Sequence, residues 1–251
     1  MMSNAFAIAE TGMKAFQAHV DTIANNVANS RTPGFKSARV EFHELLEAAP
    51  AAPGPAALPA MLGVAARTRT ADFSAGHLLP STSELDIAID GPGFIPVLAP
   101  DGTRAYSRGG ALHVTDSGTL ALAGGELEPR IYVPAGGGAL HISAEGVVAA
   151  RTAQGLQEVG RISLAQFPDP GALRLLGNGL AAPAEGAGPP TIGAAGREGA
   201  GRIVQQSLED SNVDVTRELV SLMAAQRAYA LNAKVLQAAD GLVASANELM
   251  K

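Results

Sequence analysis

The chain reads as α+β, with a helix at each end and an all-β antiparallel domain between them. Apolar residues recur at alternating steps of three and four near both ends. Short alternating segments bounded by Gly- and Asp-containing turns fill the middle, the pattern of an antiparallel barrel or sandwich. A Pro/Ala run separates the first helix from those strands. The expected division is a helix with its turn and extension over 1–47, an arm over 48–61, a β-domain over 62–205 and a second helix over 206–251.

Residues 5–29 fit one helix. Phe6, Ala9, Met13, Phe16, Val20, Ile23 and Val27 step by 3, 4, 3, 4, 3, 4. That is the narrow a/d stripe of a coiled coil. A single narrow seam does not offset the entropy of ordering the helix, so this terminus is expected to fray until further copies pack on it. Asn25, Asn26 and Asn29 interrupt the pattern, because the Asn amide competes for backbone hydrogen bonds. One reading makes them register-setting bridges between neighbouring copies. The other makes Asn29 a C-terminal cap and leaves its companions solvated. "TPGF" (32–35) suits a type II turn, with Pro33 at i+1 and Gly34 at i+2.

"AAPAAPGPAALPA" (48–60) favours an extended polyproline-type arm. Strands follow: "LDIAID" (85–90), "FIPVLA" (94–99), a hairpin of "LHVT" (112–115) with "TLALA" (119–123), and a second hairpin over 139–151. "VGRISLAQF" (159–167) reads as one further strand. Residues 177–201, rich in Gly, Ala and Pro, read as loop.

Helical periodicity returns at Ser211, which forms a candidate capping box with Asp214. The helix is expected over about 214–249. One seam holds Val215, Leu219, Leu222, Tyr229, Ala233, Leu236 and Val243, with Gln226 and Asp240 in its gaps. A second face holds Leu231, Val235, Ala238, Leu242 and Leu249. A helix with two apolar faces needs more than one neighbour, and the matching seams make the two terminal helices a coiled-coil-like pair.

Composition excludes several function classes. The net charge is −6 and no basic run occurs, so no nucleic-acid partner is expected. Without cysteine there is neither a disulfide nor a thiol nucleophile. No apolar run reaches membrane-spanning length, so no membrane insertion is expected. "MMSNAFAIAETGMKAF" does not read as a signal peptide, because Glu10 and Lys14 interrupt it. His19, His43, His77, His113 and His141 lack metal-ligand spacing. "AGGGAL" (135–140) lacks the Lys-Ser/Thr of a phosphate loop, and no G-x-S-x-G occurs. No catalytic residue, cofactor or metal is therefore expected. The competing classes are a carbohydrate-active enzyme with paired carboxylates and a β-sandwich ligand-binding module. The absence of Trp, with only 4% aromatics, argues against a sugar platform.

Three blocks carry a resemblance. "IANNVANSRTPGFK" (23–36) is similar to the N-terminal signature of flagellar basal-body rod and hook proteins. "LDIAIDGPGF" (85–94) with "DGTRAYSRGGAL" (101–112) resembles their β-domain signature. "SNVDVTRELVSLMAAQRAYALNAKVLQAAD" (211–240) resembles their C-terminal one. The wording of the last block is most similar to distal rod members, with proximal rod members next.

The resemblance implies a structural subunit of a hollow helical shaft that transmits torque and conducts exported subunits. It also implies export without a cleaved signal peptide, and terminal helices that form the inner coiled-coil layer with the β-domain outside. The partners implied are further copies of the chain, other rod and hook proteins, surrounding ring proteins and the flagellar export apparatus. The arm at 48–60 stands where distal rod members carry a stretch that keeps the shaft straight. The implied assembly interface comprises Phe6, Met13, Phe16, Val20, Ile23, Asn25, Asn26, Val27 and Asn29 with Leu219, Leu222, Gln226, Tyr229 and Leu236. Three departures stand out: Ile95-Pro96 replaces a second aromatic, which points to an edge strand; Gly109 replaces a usual Asp; and no aromatic follows the Asn178-Gly179 pair.

Overall fold

Residues 2–46, 61–69, 72–134 and 138–249 are described by a computed structural model. Every strand pair among them is antiparallel. Helices stand near the two ends of the chain and strands between them, an α+β arrangement. The chain divides into two units: Met1–Ala28, Ala38–Arg69 and Asp214–Lys251 form one, and Asn29–Ser37 and Thr70–Val213 the other.

The helical unit is built on α1 (Met2–Ala28) and α2 (Val215–Leu249). Asn26 Nδ2 donates to Glu218 Oε1 at 3.1 Å, and a Cβ placed on Gly12 would lie 3.1 Å from Asn232 Nδ2. These two meeting points are equally spaced on both helices (12 to 26, 218 to 232) and run in opposite order, so the helices are antiparallel in constant register. Glu218, Ala225 and Asn232 recur every seven residues, and Ala225 is only 2% exposed. On α1 the buried positions include Ala9, Gly12, Ala15, Ile23 and Asn26. The inward stripes are thus mostly small, which lets the two backbones approach.

Asp214 starts α2 alone. Its Oδ1 accepts from Thr216 N at 3.0 Å and Arg217 N at 3.2 Å. This corrects the capping box: Ser211 Oγ accepts from Val213 N instead, before the helix. A carboxylate directly ahead of the first turn satisfies two of the orphan donors on its own.

A hairpin, Arg39–Leu46 with Met61–Arg69, completes this unit. Residues 62–69 therefore pair with the segment that follows the first helix. Thr11 Oγ1 accepts from Val64 N at 3.3 Å, and the rings of Phe16 and His19 lie 5.5 and 5.8 Å from Phe42. The Pro/Ala arm at 48–60 lies outside the described residues.

The β-unit centres on a nine-stranded sheet. Its order is Leu173–Gly177, Leu180–Pro183, Arg104–Ser107, Ile95–Leu98, Gly125–Leu127, Leu120–Leu122, Gly109–Val114, Asp86–Asp90 and Arg202–Gln205. Ile87, Val97, Leu120, Leu122, Val148 and Leu164 belong to its aliphatic core. A second core stacks Phe94 and Tyr106 edge-on against Phe167, at 5.9 and 4.8 Å.

Three local expectations change. The stretch 159–167 is two strands, Gly155–Arg161 and Ser163–Gln166, in different sheets. The break falls at buried Ile162, whose N–H donates to the Gly146 carbonyl. Residues 177–201 contain the strands Leu180–Pro183 and Thr191–Ala194, which small residues form by pairing with distant partners. Pro96 lies inside the sheet, not at its edge. Pairing with the Gly125–Leu127 strand starts at Val97, and Pro96 contributes only its carbonyl, accepting from Glu128 N at 3.0 Å. A missing N–H costs nothing where only the acceptor is used.

Gly109 has φ +132, and a Cβ there would meet the Ile87 carbonyl oxygen at 2.4 Å. Gly109→Ala is expected to destabilise the β-unit by about 2 kcal/mol or more, since backbone must move. Gly102→Ala, at φ +80 with nothing within 4 Å, should lose only about 1 kcal/mol. Denaturant titration of both variants checks the ordering. Equal losses would show that the clash is relieved at no cost.

Candidate functional site

The residues expected to mediate assembly divide into two sets. On α1, Ile23 is buried, and Phe6, Met13, Phe16, Val20 and Val27 are half-buried. On α2, Leu222 and Leu236 are half-buried, while Leu219, Gln226 and Tyr229 are exposed. The stripe that faces inward is therefore rotated by about a quarter turn from the seam read off the large side chains. The rotation leaves Leu219, Val220, Met223, Tyr229, Leu231 and Val235 in solvent on α2, with Val220 and Leu231 each 63% exposed. Exposed apolar side chains in such density mark an interaction surface. The side chains of Leu242, Val243 and Leu249 lie outside the described ones.

The three asparagines part company. Asn26 is 1% exposed and works within the chain. Its Nδ2 donates to the Ala38 carbonyl at 2.8 Å and its Oδ1 accepts from Ala38 N at 3.0 Å. The side-chain amide thus copies a strand pairing while its second N–H reaches Glu218. Asn25 is exposed and Asn29 half-buried. Just past the end of α1, the Asn29 carbonyl accepts from Thr32 N, and its Oδ1 accepts from the Thr32 hydroxyl at 3.2 Å.

The "TPGF" segment is the expected turn. Phe35 N donates to the Thr32 carbonyl at 3.1 Å, and Gly34, after Pro33, has φ +73. Gly34 N continues to the Glu209 carbonyl at 2.7 Å.

A charge cluster that no sequence pattern marks is buried in the β-unit. Lys36 Nζ lies 2.7 Å from Glu209 Oε1, and Arg108 Nε lies 3.1 Å from Glu209 Oε2. Arg108 also donates to the carbonyls of Gly91 and Gly93. Burial pulls the Lys36 ammonium below the usual lysine range, against the opposing pull of Glu209. Burial pushes the Glu209 carboxyl up, but the charges and hydrogen bonds of Arg108 and Lys36 outweigh it and hold it below the usual range. All three line a cleft of about 590 Å³, also lined by Phe35, Phe73, Phe94 and Tyr106. Among the described residues, no group of three or more His, Cys, Asp or Glu side chains could hold a metal, and no helix is long and apolar enough to cross a membrane.

Residues 6–36 match the family model of the flagella basal body rod protein. Residues 88–150 match that of the flagellar hook protein FlgE/F/G D1 domain. Residues 204–249 match that of the flagellar basal body rod FlgEFG protein C-terminal. The flagellar basal-body rod protein FlgG of Borreliella burgdorferi is 35% identical over the whole of both chains. That of Buchnera aphidicola subsp. Baizongia pistaciae is 35% identical over 96% of this chain and 98% of its own. That of Agrobacterium fabrum is 34% identical over 98% and 99%. The matches span both helices and the β-unit, and on their strength the chain belongs to the FlgG family of flagellar basal-body rod proteins.

Proposed function

We propose that this chain, a structural subunit of the flagellar rod, builds its distal segment by open head-to-tail stacking of copies through the helical unit. The outward apolar face of α2 carries this reading: it is large, and α1 leaves it uncovered within the subunit. Contacts between unlike surfaces repeat without closing and generate helical filaments. In the polymer, Leu219, Tyr229 and their neighbours pack on adjacent copies, and the α1–α2 pair becomes part of a coiled-coil-like inner layer around a channel. The shaft so formed crosses the periplasm, transmits torque and conducts later subunits. Its other partners are rod and hook proteins, the surrounding rings and the export apparatus that delivers the chain.

Deleting the gene tests this directly. Basal bodies isolated from the deletion strain are expected to end in a short rod without a hook, and cells should not swim until the full chain is restored. Hooks on the mutant basal bodies would place the subunit elsewhere in the axis.

A further inference from the structure

The chain passes between its two units at four places, 28/29, 37/38, 69/70 and 213/214. On the β-unit side, the segments next to these passages are joined to one another. Lys36 Nζ donates to the Ser74 carbonyl at 2.8 Å as well as to Glu209. Asp72 N donates to the Ser37 carbonyl at 2.7 Å. Ser37 N donates to Asn212 Oδ1 at 2.8 Å, and Asn212 Nδ2 donates to the Asp72 carbonyl at 2.7 Å. Gly76 N donates to Glu209 Oε1 at 2.8 Å, and Gly34 N to the Glu209 backbone carbonyl at 2.7 Å. Residues 34–37, 72–76 and 209–212 thus meet around one buried carboxylate. Arg108 ties that carboxylate to the sheet through the carbonyls of Gly91 and Gly93.

We propose that Glu209, with Lys36, Arg108 and Asn212, forms a clasp that holds the chain's exits from the β-unit in place as one cooperative element, separable from the aliphatic core. The chemistry suits that task. Two cations and the Gly76 N–H place four hydrogen bonds on one carboxylate, and a buried charge-paired group resists partial opening because each member loses its partner at once. Apolar residues would hold the segments together without fixing their register; directional bonds do both. Ordered exits mean that these segments are fixed within the β-unit before any second copy is met, which lowers the ordering cost of assembly.

Hydrogen exchange of the full-length soluble subunit, read by mass spectrometry, tests the clasp without reference to any polymer. In Glu209→Gln, peptides covering 29–37, 72–77 and 207–213 should exchange at least about tenfold faster, while those covering 86–98 and 119–127 keep their rates. Glu128→Gln, which breaks the exposed ion pair to Arg104, is the control and should move none of them. Unchanged rates at the three exits would overturn the proposal, and so would equal acceleration everywhere, because the cluster would then be ordinary core. Should Glu209→Gln fail to fold, Lys36→Met decides alone. It leaves the Glu209–Arg108 pair intact, and the expected loss of protection, smaller than in Glu209→Gln, again covers 29–37, 72–77 and 207–213 and spares 86–98 and 119–127. No loss, or loss throughout, refutes the clasp.

Discussion

Replacing Val220 and Leu231 together by Asp is expected to leave the subunit folded and to abolish rod assembly. Both side chains are more than half exposed in the single chain, so a carboxylate at either position stays hydrated and changes stability by about 0.5 kcal/mol or less. The same carboxylates in a packed contact between copies lose their water and find no partner, at several kcal/mol each. Because every copy carries the defect, even about 3 kcal/mol per subunit shifts the assembly equilibrium by roughly two orders of magnitude. Circular dichroism should show unchanged helix, and electron microscopy of isolated basal bodies should show no distal rod. Phe16→Asp and Leu222→Asp are expected to stop assembly too, but by a different route. Both positions are half-buried within the helical unit, so those subunits should also melt early. Normal rods in the Val220/Leu231 double variant would remove this face from the assembly surface.

Asn26→Ala is expected to cost the helical unit about 2–4 kcal/mol, although alanine is the better helix former. The loss strands the N–H and carbonyl of Ala38 in a part-buried site and takes a donor from Glu218. Asn25→Ala, on the exposed side of the same turn, should cost less than Asn26→Ala. Thermal unfolding followed by far-ultraviolet circular dichroism separates the two. Equal melting of both single variants would mean that the amide of Asn26 is replaced by water at no cost.

That contrast shows which parts of the fold are legible in the amino acids. The helices were, since apolar spacing is a property of the local chain, and so was the turn, since Pro33 and Gly34 each restrict or free the backbone on their own. The rotation of α2 was not. Pattern reading weights Leu, Val and Tyr, whereas two closely packed helices select small residues such as buried Ala225 and Gly12, where an added Cβ would lie 3.1 Å from Asn232. The hairpin Arg39–Leu46 with Met61–Arg69 was hidden because its pairing spans the arm, and neither strand alternates cleanly. The Lys36–Arg108–Glu209 cluster was invisible for a plainer reason. Its members are far apart in sequence, and an isolated charged residue reads as solvated unless something distant buries it. Of the three asparagines, the one facing Ala38 and Glu218 is the buried one, and composition could not single it out.

The contact between Asn26 and Glu218 joins residues 192 positions apart. It therefore has a consequence for timing. A polypeptide delivered end-first through a narrow conduit presents one of these helices long before the other, and closing so long a loop is both entropically costly and slow. Neither helix meets its mate until nearly the entire polypeptide has arrived. In the assembly proposed above, a half-delivered molecule would hold no finished α1–α2 pair to present to the next copy.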